Sequence, residues 1–140
     1  MYRLHANKCS YHILLLIFAD SKGYLVDEDG FDYVKISFLR DIKAQQKSLR
    51  DYSKTYARSK YNDEAIPCNE RCDVAFPCAS QNEIEQYDAI NLINSGCRIL
   101  IEGGSTLCDA LFSNMPCTPE AIDVLRKGNI LIAPSKAVGA

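Results

Sequence analysis

Four short runs of apolar residues recur along the chain, at residues 11–19, 73–76, 97–101 and 130–133. Continuous runs of this kind are typical of strands buried on both faces of a parallel sheet, whereas a half-exposed strand alternates apolar and polar positions. Parallel neighbours need long crossover connections, which are usually helices. The pattern therefore predicts an α/β fold built on a doubly wound parallel sheet.

Helical spacing and capping residues mark the segments between the runs. A first helix is expected to begin near Asp32, whose carboxylate can accept hydrogen bonds from the opening turn. A second, short helix is predicted around residues 49–57. The buried face predicted for the first helix consists of Phe31, Val34, Phe38 and Ile42.

The two later helices have clearer ends. A helix near residues 88–95 should end at Gly96, because glycine readily takes the left-handed conformation that closes a helix. The last helix should follow Thr118, with Pro119 in its first turn, and should end at Gly128. Its predicted buried residues are Ala121, Ile122 and Leu125.

The charge balance and the apolar runs limit the class of partner. The 140 residues carry a net charge of −2 and show no basic stripe of the kind that binds nucleic acid. The first run follows Arg3, His5 and Lys8 as in a short signal peptide, but it leads directly into Asp20 and is better explained as a buried strand. It is also too short to cross a membrane as a helix. We therefore expect neither nucleic acid nor a membrane as a partner.

Seven cysteines are present, and no two of them form a Cys-x-x-Cys pair. Cys68 and Cys72 lack the second pair or histidine cluster that would complete a zinc site. Reduced thiols in a cytoplasmic protein, with no metal site, are the expectation. Cys78 follows a predicted strand, but the C-terminal part of the chain contains no histidine that could activate it as a nucleophile.

Ligands of doubly wound sheets bind beyond the carboxyl ends of the strands, so the loops at those ends carry the candidate chemistry. The loop after the first run contains Asp20 and Ser21. A carboxylate there can bond a cofactor ribose, and hydroxyls and cations can accept a 2′-phosphate, although taken alone these residues favour a simple turn. The loop at residues 77–83 has small and amide side chains, which would let a flat ring approach the backbone.

Four segments, in this order, resemble the cofactor domain of hexameric glutamate dehydrogenases: residues 20–24, 27–30, 72–83 and 114–122. The resemblance implies a Rossmann-like fold. For the complete protein it implies a homo-hexamer that interconverts glutamate with 2-oxoglutarate and ammonium, with hydride passed to or from a nicotinamide cofactor. The Asp-Ser-Lys sequence at Asp20 favours NADP, with NAD as the alternative.

The same resemblance implies roles for five residues. Asp20 and Ser21 would face the adenosine ribose or its 2′-phosphate. Ala79 and Ser80 would line the cofactor cleft, and Asn114 would contact the nicotinamide ribose. The family's catalytic groups belong to a substrate domain with no counterpart here, so no catalytic residue is assigned.

The chain also departs from the family pattern. Residues 1–12 form an atypical head without glycine, where the family has its first strand and a glycine-rich turn that brings N–H groups to the pyrophosphate. Residues 13–140 are expected to form a partial NAD(P)-binding domain, an incomplete Rossmann-like sheet that lacks the first strand and that turn. Residues 104–113 stand where the family has one residue, an insertion of nine residues.

These departures lead to one expectation and two alternatives. We expect a fragment of an NADP-dependent glutamate dehydrogenase that is inactive alone, with an incomplete gene model as the hypothesis for its unusual head and insertion. The first alternative is a fragment of another amino-acid dehydrogenase, such as one for leucine or phenylalanine. The second is a non-catalytic remnant or interaction module.

Overall fold

The computed structural model describes residues 2–6, 13–78, 81–103 and 115–134. The chain divides between Pro67 and Cys68 into two compact units, with the first two residues assigned to the second unit. The partial cofactor domain predicted over residues 13–140 includes residues of both units. A short 3₁₀ turn occupies Pro67–Asn69, at the junction.

Antiparallel strands form the sheet of the first unit. Strand β2 (Ile13–Asp20) pairs with β3 (Gly23–Asp27), and β3 pairs with β4 (Ser59–Asp63). Strand β1 (Tyr2–Ala6) is the other neighbour of β2. The run at residues 11–19 is thus largely a strand, as predicted, but its pairing with β3 is antiparallel. Strand β3 was not predicted; only two residues, Ser21 and Lys22, separate it from β2.

Two helices follow the hairpin, α1 (Tyr33–Ala44) and α2 (Arg50–Thr55). Asp32 caps α1 as predicted, since its Oδ1 accepts a hydrogen bond of 2.8 Å from the Lys35 N–H. The predicted buried face was wrong at Val34, which is 67 % exposed. The predicted helical spacing starts at Phe31. That residue precedes the N-cap Asp32, whose backbone is extended, so Phe31 is not part of the helix.

The apolar core of the first unit lies where the hairpin and the two helices meet. Leu25 comes from β3, Leu39 and Ile42 from α1, and Leu49 and Tyr52 from the start of α2. Phe31 completes the set of buried side chains in this cluster. Leu49 and Tyr52 have no exposed surface, so even the six-residue helix α2 is fixed by burial more than by its own length.

The second unit has the parallel α/β arrangement that the sequence predicted. Strands β5 (Val74–Phe76), β6 (Ile99–Ile101) and β7 (Leu131–Ala133) are parallel neighbours in that order. Helix α3 (Gln86–Asn94) connects β5 to β6, and α4 (Pro119–Lys127) precedes β7. All three strands fall within or next to predicted runs, which confirms the continuous apolar run as the signal of a parallel strand here.

Helix ends in the second unit also follow the sequence. Gly96 closes α3 with a φ of 87°, the left-handed conformation expected of it. Thr118 Oγ1 accepts a 3.2 Å hydrogen bond from the Ala121 N–H and so caps α4, with Pro119 as the first helical residue. Gly128 ends α4 as predicted, but Asn129 is the residue with a left-handed φ, 59°. Across the described residues, no helix combines the length and apolar character that spanning a membrane requires.

One charged side chain, Asp27, is buried in the first unit with 1 % of its surface exposed. Its carboxylate accepts hydrogen bonds from Tyr52 Oη at 2.6 Å, Lys35 Nζ at 2.9 Å and the Asp29 N–H at 3.0 Å. Burial alone would raise the pKa of this carboxyl, but the hydrogen bonds from these partners outweigh it and lower the pKa. Asp27 therefore stays ionised and joins β3 to both helices.

We expect Tyr52→Phe to lower the free energy of unfolding by about 1–2 kcal/mol, because the ring packing is kept while the buried Asp27 carboxylate loses one donor. Urea denaturation at pH 7 measures the change. Tyr33→Phe is the matched control, since Tyr33 is 84 % exposed and should leave stability unchanged. Equal stability of the two variants would show that the Tyr52 hydroxyl contributes nothing.

Acidification should weaken the first unit through Asp27. The folded-state pKa of its carboxyl lies below the ordinary value, so its contribution is complete above about pH 4 and is lost as the pH falls through the folded-state pKa. Asp27→Asn should therefore be less stable than wild type at pH 7 but should lose less stability between pH 6 and pH 3. Denaturant titrations across that range test this, and parallel pH profiles for the two proteins would refute it.

Candidate functional site

The loop at Asp20 is a tight hairpin turn in the first unit. Asp20 pairs with Gly23 across the β2–β3 ladder, which leaves Ser21 and Lys22 as a two-residue exposed loop. Asp20 Oδ1 accepts the Lys22 N–H at 2.9 Å, so the side chain folds over its own turn. The Lys22 carbonyl accepts the Glu64 N–H at 2.8 Å, which ties the turn to the end of β4.

The second carboxylate oxygen of Asp20 faces a cation from α1. Lys43 Nζ lies 2.6 Å from Asp20 Oδ2, and the two side chains are 46 % and 15 % exposed. Burial would raise the pKa of the Asp20 carboxyl, but the bonds from Lys43 and from the Lys22 and Gly23 backbone lower it overall. The turn thus pairs an ionised carboxylate with the Lys43 ammonium, and the exposed Ser21 follows Asp20 directly in the chain.

Gly23 closes this turn at a point where no side chain fits. A Cβ on Gly23 would lie 2.2 Å from the Asn62 carbonyl oxygen and 2.9 Å from the Tyr61 hydroxyl. The guanidinium of Arg50 lies over the Tyr61 ring, 5.6 Å from its centroid, and its Nη2 bonds Asp63. At the Gly23–Asp63 end of the β3–β4 ladder, the Tyr61 ring and the Arg50 guanidinium therefore lie next to the Asp20 turn.

In the second unit, the carboxyl ends of β5 and β6 come together at Cys78 and Gly103. The Gly103 N–H donates to the Pro77 carbonyl at 3.0 Å. A Cβ on Gly103 would lie 2.3 Å from the Cys78 Sγ. Glycine is therefore required at this position by the close approach of the Cys78 thiol. Desolvation and, after it, the charge of Glu83 raise the pKa of that thiol, which argues against a nucleophilic role.

The residue that follows β6, Glu102, is 2 % exposed. Its Oε1 accepts the Cys117 N–H at 3.3 Å, and burial followed by the neighbouring Glu102 charge raises the pKa of the Cys117 thiol. Residues 115–118 are also tied to residues 82–84 by three backbone bonds: Asn82 N–H to Met115 O at 3.0 Å, Ile84 N–H to Pro116 O at 2.9 Å and Thr118 N–H to Ile84 O at 3.1 Å. The loop before α4 is thus held on two sides at the carboxyl end of the sheet.

The structure places some of the predicted site residues and not others. Asp20 and Ser21 lie together after the first run, as expected of a strand-end loop, but that loop is an antiparallel hairpin turn. Ala79, Ser80 and Asn114 lie outside the described residues, so their assigned contacts stay predictions.

Two charged residues, Lys43 and Glu102, were not singled out as site residues from sequence. Ile42 was correctly predicted on the buried face of α1. Lys43 is the next residue, so the same helical spacing would have placed it beside that face. Glu102 directly follows the predicted run at residues 97–101, but its burial depends on residues 115–118, whose position beside it the sequence does not show. Within the described ranges, no three His, Cys, Asp or Glu side chains are grouped so as to hold a metal ion.

Comparison with known proteins gives one family. The family model for Glutamate/Leucine/Phenylalanine/Valine dehydrogenase matches residues 13–140. A glutamate dehydrogenase of Bacteroides thetaiotaomicron is 38 % identical over 123 residues, which cover 87 % of this chain and 26 % of the relative. An NAD(P)-specific glutamate dehydrogenase of Xylanibacter ruminicola is 37 % identical over 123 residues, again 87 % of this chain and 26 % of the relative.

A solved structure agrees with these relatives. The crystal structure of Plasmodium falciparum glutamate dehydrogenase superposes with a TM-score of 0.76 at 33 % sequence identity, covering 89 % of this chain and 25 % of that one. The chain therefore spans about a quarter of the length of the relatives it matches. The partial Rossmann-like α/β fold predicted from the sequence is confirmed by this likeness.

The contact between Gly103 and Cys78 gives a test of the strand-end geometry in the second unit. Gly103→Ala should lower the free energy of unfolding by about 1–3 kcal/mol, because its methyl group overlaps the thiol. Cys78→Ala in the same chain removes the sulfur and should recover most of that loss. Thermal or urea denaturation of the two single variants and the double variant gives the coupling, and additive losses would contradict the described contact.

Proposed function

The chain belongs to the glutamate/leucine/phenylalanine/valine dehydrogenase family, and we propose that it is the adenosine-binding part of an NADP-dependent glutamate dehydrogenase. The complete protein would interconvert glutamate with 2-oxoglutarate and ammonium as a homo-hexamer, with the nicotinamide cofactor accepting or supplying the hydride. The names of the relatives support this substrate. This chain's own contribution is to bind and orient the cofactor.

The single observation that carries the proposal is the Asp20–Lys43 pair in the hairpin turn. A carboxylate at the end of a strand can bond the hydroxyls of a ribose. A 2′-phosphate instead needs positive charge and N–H or O–H donors, and the turn offers the Lys43 ammonium with the Ser21 hydroxyl nearby. Because the Lys43 ammonium has three donors and its bond to Asp20 uses one, Lys43 can bond a phosphate without leaving Asp20.

The second unit supports the proposal less directly. Residues 115–118, which follow Asn114 in the sequence, are fixed between Glu102 and residues 82–84. By resemblance, Asn114 contacts the nicotinamide ribose, and Ala79 and Ser80 line the cleft. Three parts of the proposal rest on sequence. They are these contacts, the division into a head at residues 1–12 and a partial cofactor domain at residues 13–140, and a cytoplasmic location.

Titration of the isotope-labelled 140-residue chain with NADP⁺ and NAD⁺, followed by NMR, tests the proposal. NADP⁺ should shift the backbone signals of Asp20, Ser21, Lys22 and Gly23 at lower concentration than NAD⁺ does. Lys43→Gln should weaken NADP⁺ binding about tenfold, which is the loss expected for one charge-assisted hydrogen bond, and should leave NAD⁺ binding nearly unchanged.

Lys54→Gln is the matched control for charge, because Lys54 is an exposed lysine on α2 paired with Asp51 in its own helix. It should bind both dinucleotides as wild type does. If millimolar NADP⁺ shifts no signal of the turn, the proposed function is wrong for this chain. The result would then favour the alternative of a non-catalytic interaction module.

A further inference from the structure

A second cation, the Arg50 guanidinium, lies next to the Asp20 turn and is not among the residues that the proposed function uses. Arg50, the first residue of α2, places its guanidinium over the Tyr61 ring. Its Nη2 donates to Asp63, the last residue of β4, and the two side chains are 56 % and 54 % exposed. The guanidinium is thus held in one place from two directions while much of it remains open to solvent.

The Tyr61 ring connects this cation to the Asp20 turn. Gly23 is the register partner of both Asp20 and Asp63, so the turn and the end of β4 lie side by side. The Tyr61 hydroxyl reaches the space beside Gly23, where a Cβ would lie 2.9 Å from it. Burial and then the charges of Asp63 and Asp20 raise the pKa of that hydroxyl more than a hydrogen bond with Ser48 lowers it.

We propose that Arg50, supported by Tyr61, is a second phosphate-binding cation beside Lys43 and sets the preference for a 2′-phosphorylated adenosine over one with a free 2′-hydroxyl. This inference rests on the proposed function, because it assigns a selectivity residue to the same nucleotide site. The ligand class it concerns is the adenosine 2′-phosphate group of a dinucleotide.

The bond between Arg50 and Asp63 does not prevent this role. Ion pairs between exposed side chains contribute only about 0–1 kcal/mol, so a phosphate dianion can share or replace Asp63 at little cost. Guanidinium has five N–H donors in a planar fork, and the Asp63 bond involves Nη2 alone. A planar fork matches two phosphate oxygens at once, which a lysine ammonium cannot do.

Stacking on Tyr61 adds a geometric reason. A flexible arginine must lose side-chain entropy when it binds a ligand, and the ring already restricts this one. Tyr61 in turn is held by the β3–β4 ladder through its pairing with Leu25. Arg50 is therefore held in position before an anion arrives at the turn, whereas Lys43 contacts Asp20 directly.

Isothermal titration of the 140-residue chain with adenosine 2′,5′-bisphosphate and with adenosine 5′-monophosphate tests the inference, because the two probes differ only in the 2′-phosphate. Wild type should bind the bisphosphate more tightly. Arg50→Gln should weaken bisphosphate binding about tenfold and change monophosphate binding less than about twofold. Arg50→Lys keeps the charge without the fork and should fall between the two. NMR spectra of the free variants confirm that the exposed substitutions leave the fold intact.

Arg58→Gln is the matched control. Arg58 is likewise exposed and paired with carboxylates, Glu28 and Asp29, but it precedes the opposite end of β4, about 17 Å from Asp63 along the strand. It should bind both probes as wild type does. If Arg50→Gln keeps the full preference of wild type, Arg50 has no such role and the proposed function stands. If wild type shows no preference for the bisphosphate, the inference falls together with the proposed 2′-phosphate site.

Discussion

The first unit depends on one buried carboxylate. Asp27 ends β3, and its bonds to Lys35 and Tyr52 fix α1 and α2 against that strand. A carboxylate with 1 % exposure is tolerable only when its oxygens are satisfied, since an unpaired buried charge costs several kcal/mol. Such a network therefore selects one arrangement of strand and helices, because any other leaves the charge without partners.

That arrangement brings together the residues of the proposed nucleotide site. Asp20 and Asp27 lie at opposite ends of the hairpin, so the helix that Asp27 anchors at its start delivers Lys43 to Asp20 from its last turn. The tie between Tyr52 and Asp27 likewise sets where α2 begins, and with it the position of Arg50 over Tyr61. Two cations reach one turn because a single anion positions both helices.

In the second unit, a buried carboxylate and backbone hydrogen bonds likewise fix the position of a loop. Three-residue parallel strands offer few ladder bonds, so the loops at their carboxyl ends need further support. The buried Glu102 carboxylate and the backbone bonds to residues 82–84 give that support to residues 115–118. The close approach of Gly103 to Cys78 brings the neighbouring loop against the same edge. A loop fixed in this way can present a contact residue to a ligand without an ordering cost at the moment of binding.

Local signals in the sequence determined the parallel strands of the second unit, the caps at Asp32 and Thr118, and the left-handed end at Gly96. Each of these depends on a residue and its near neighbours, so the residue types are sufficient. The family and the Asp20 turn also followed from sequence, because they depend on the order of short segments. Tertiary structure alone decided that β3 is an antiparallel partner of β2, that Val34 faces solvent, that Lys43 bonds Asp20, and that Arg50 lies over Tyr61 and bonds Asp63. Such contacts depend on strand pairing and helix packing between residues distant in the chain, up to 42 positions apart for Lys22 and Glu64, so no local residue pattern specifies them.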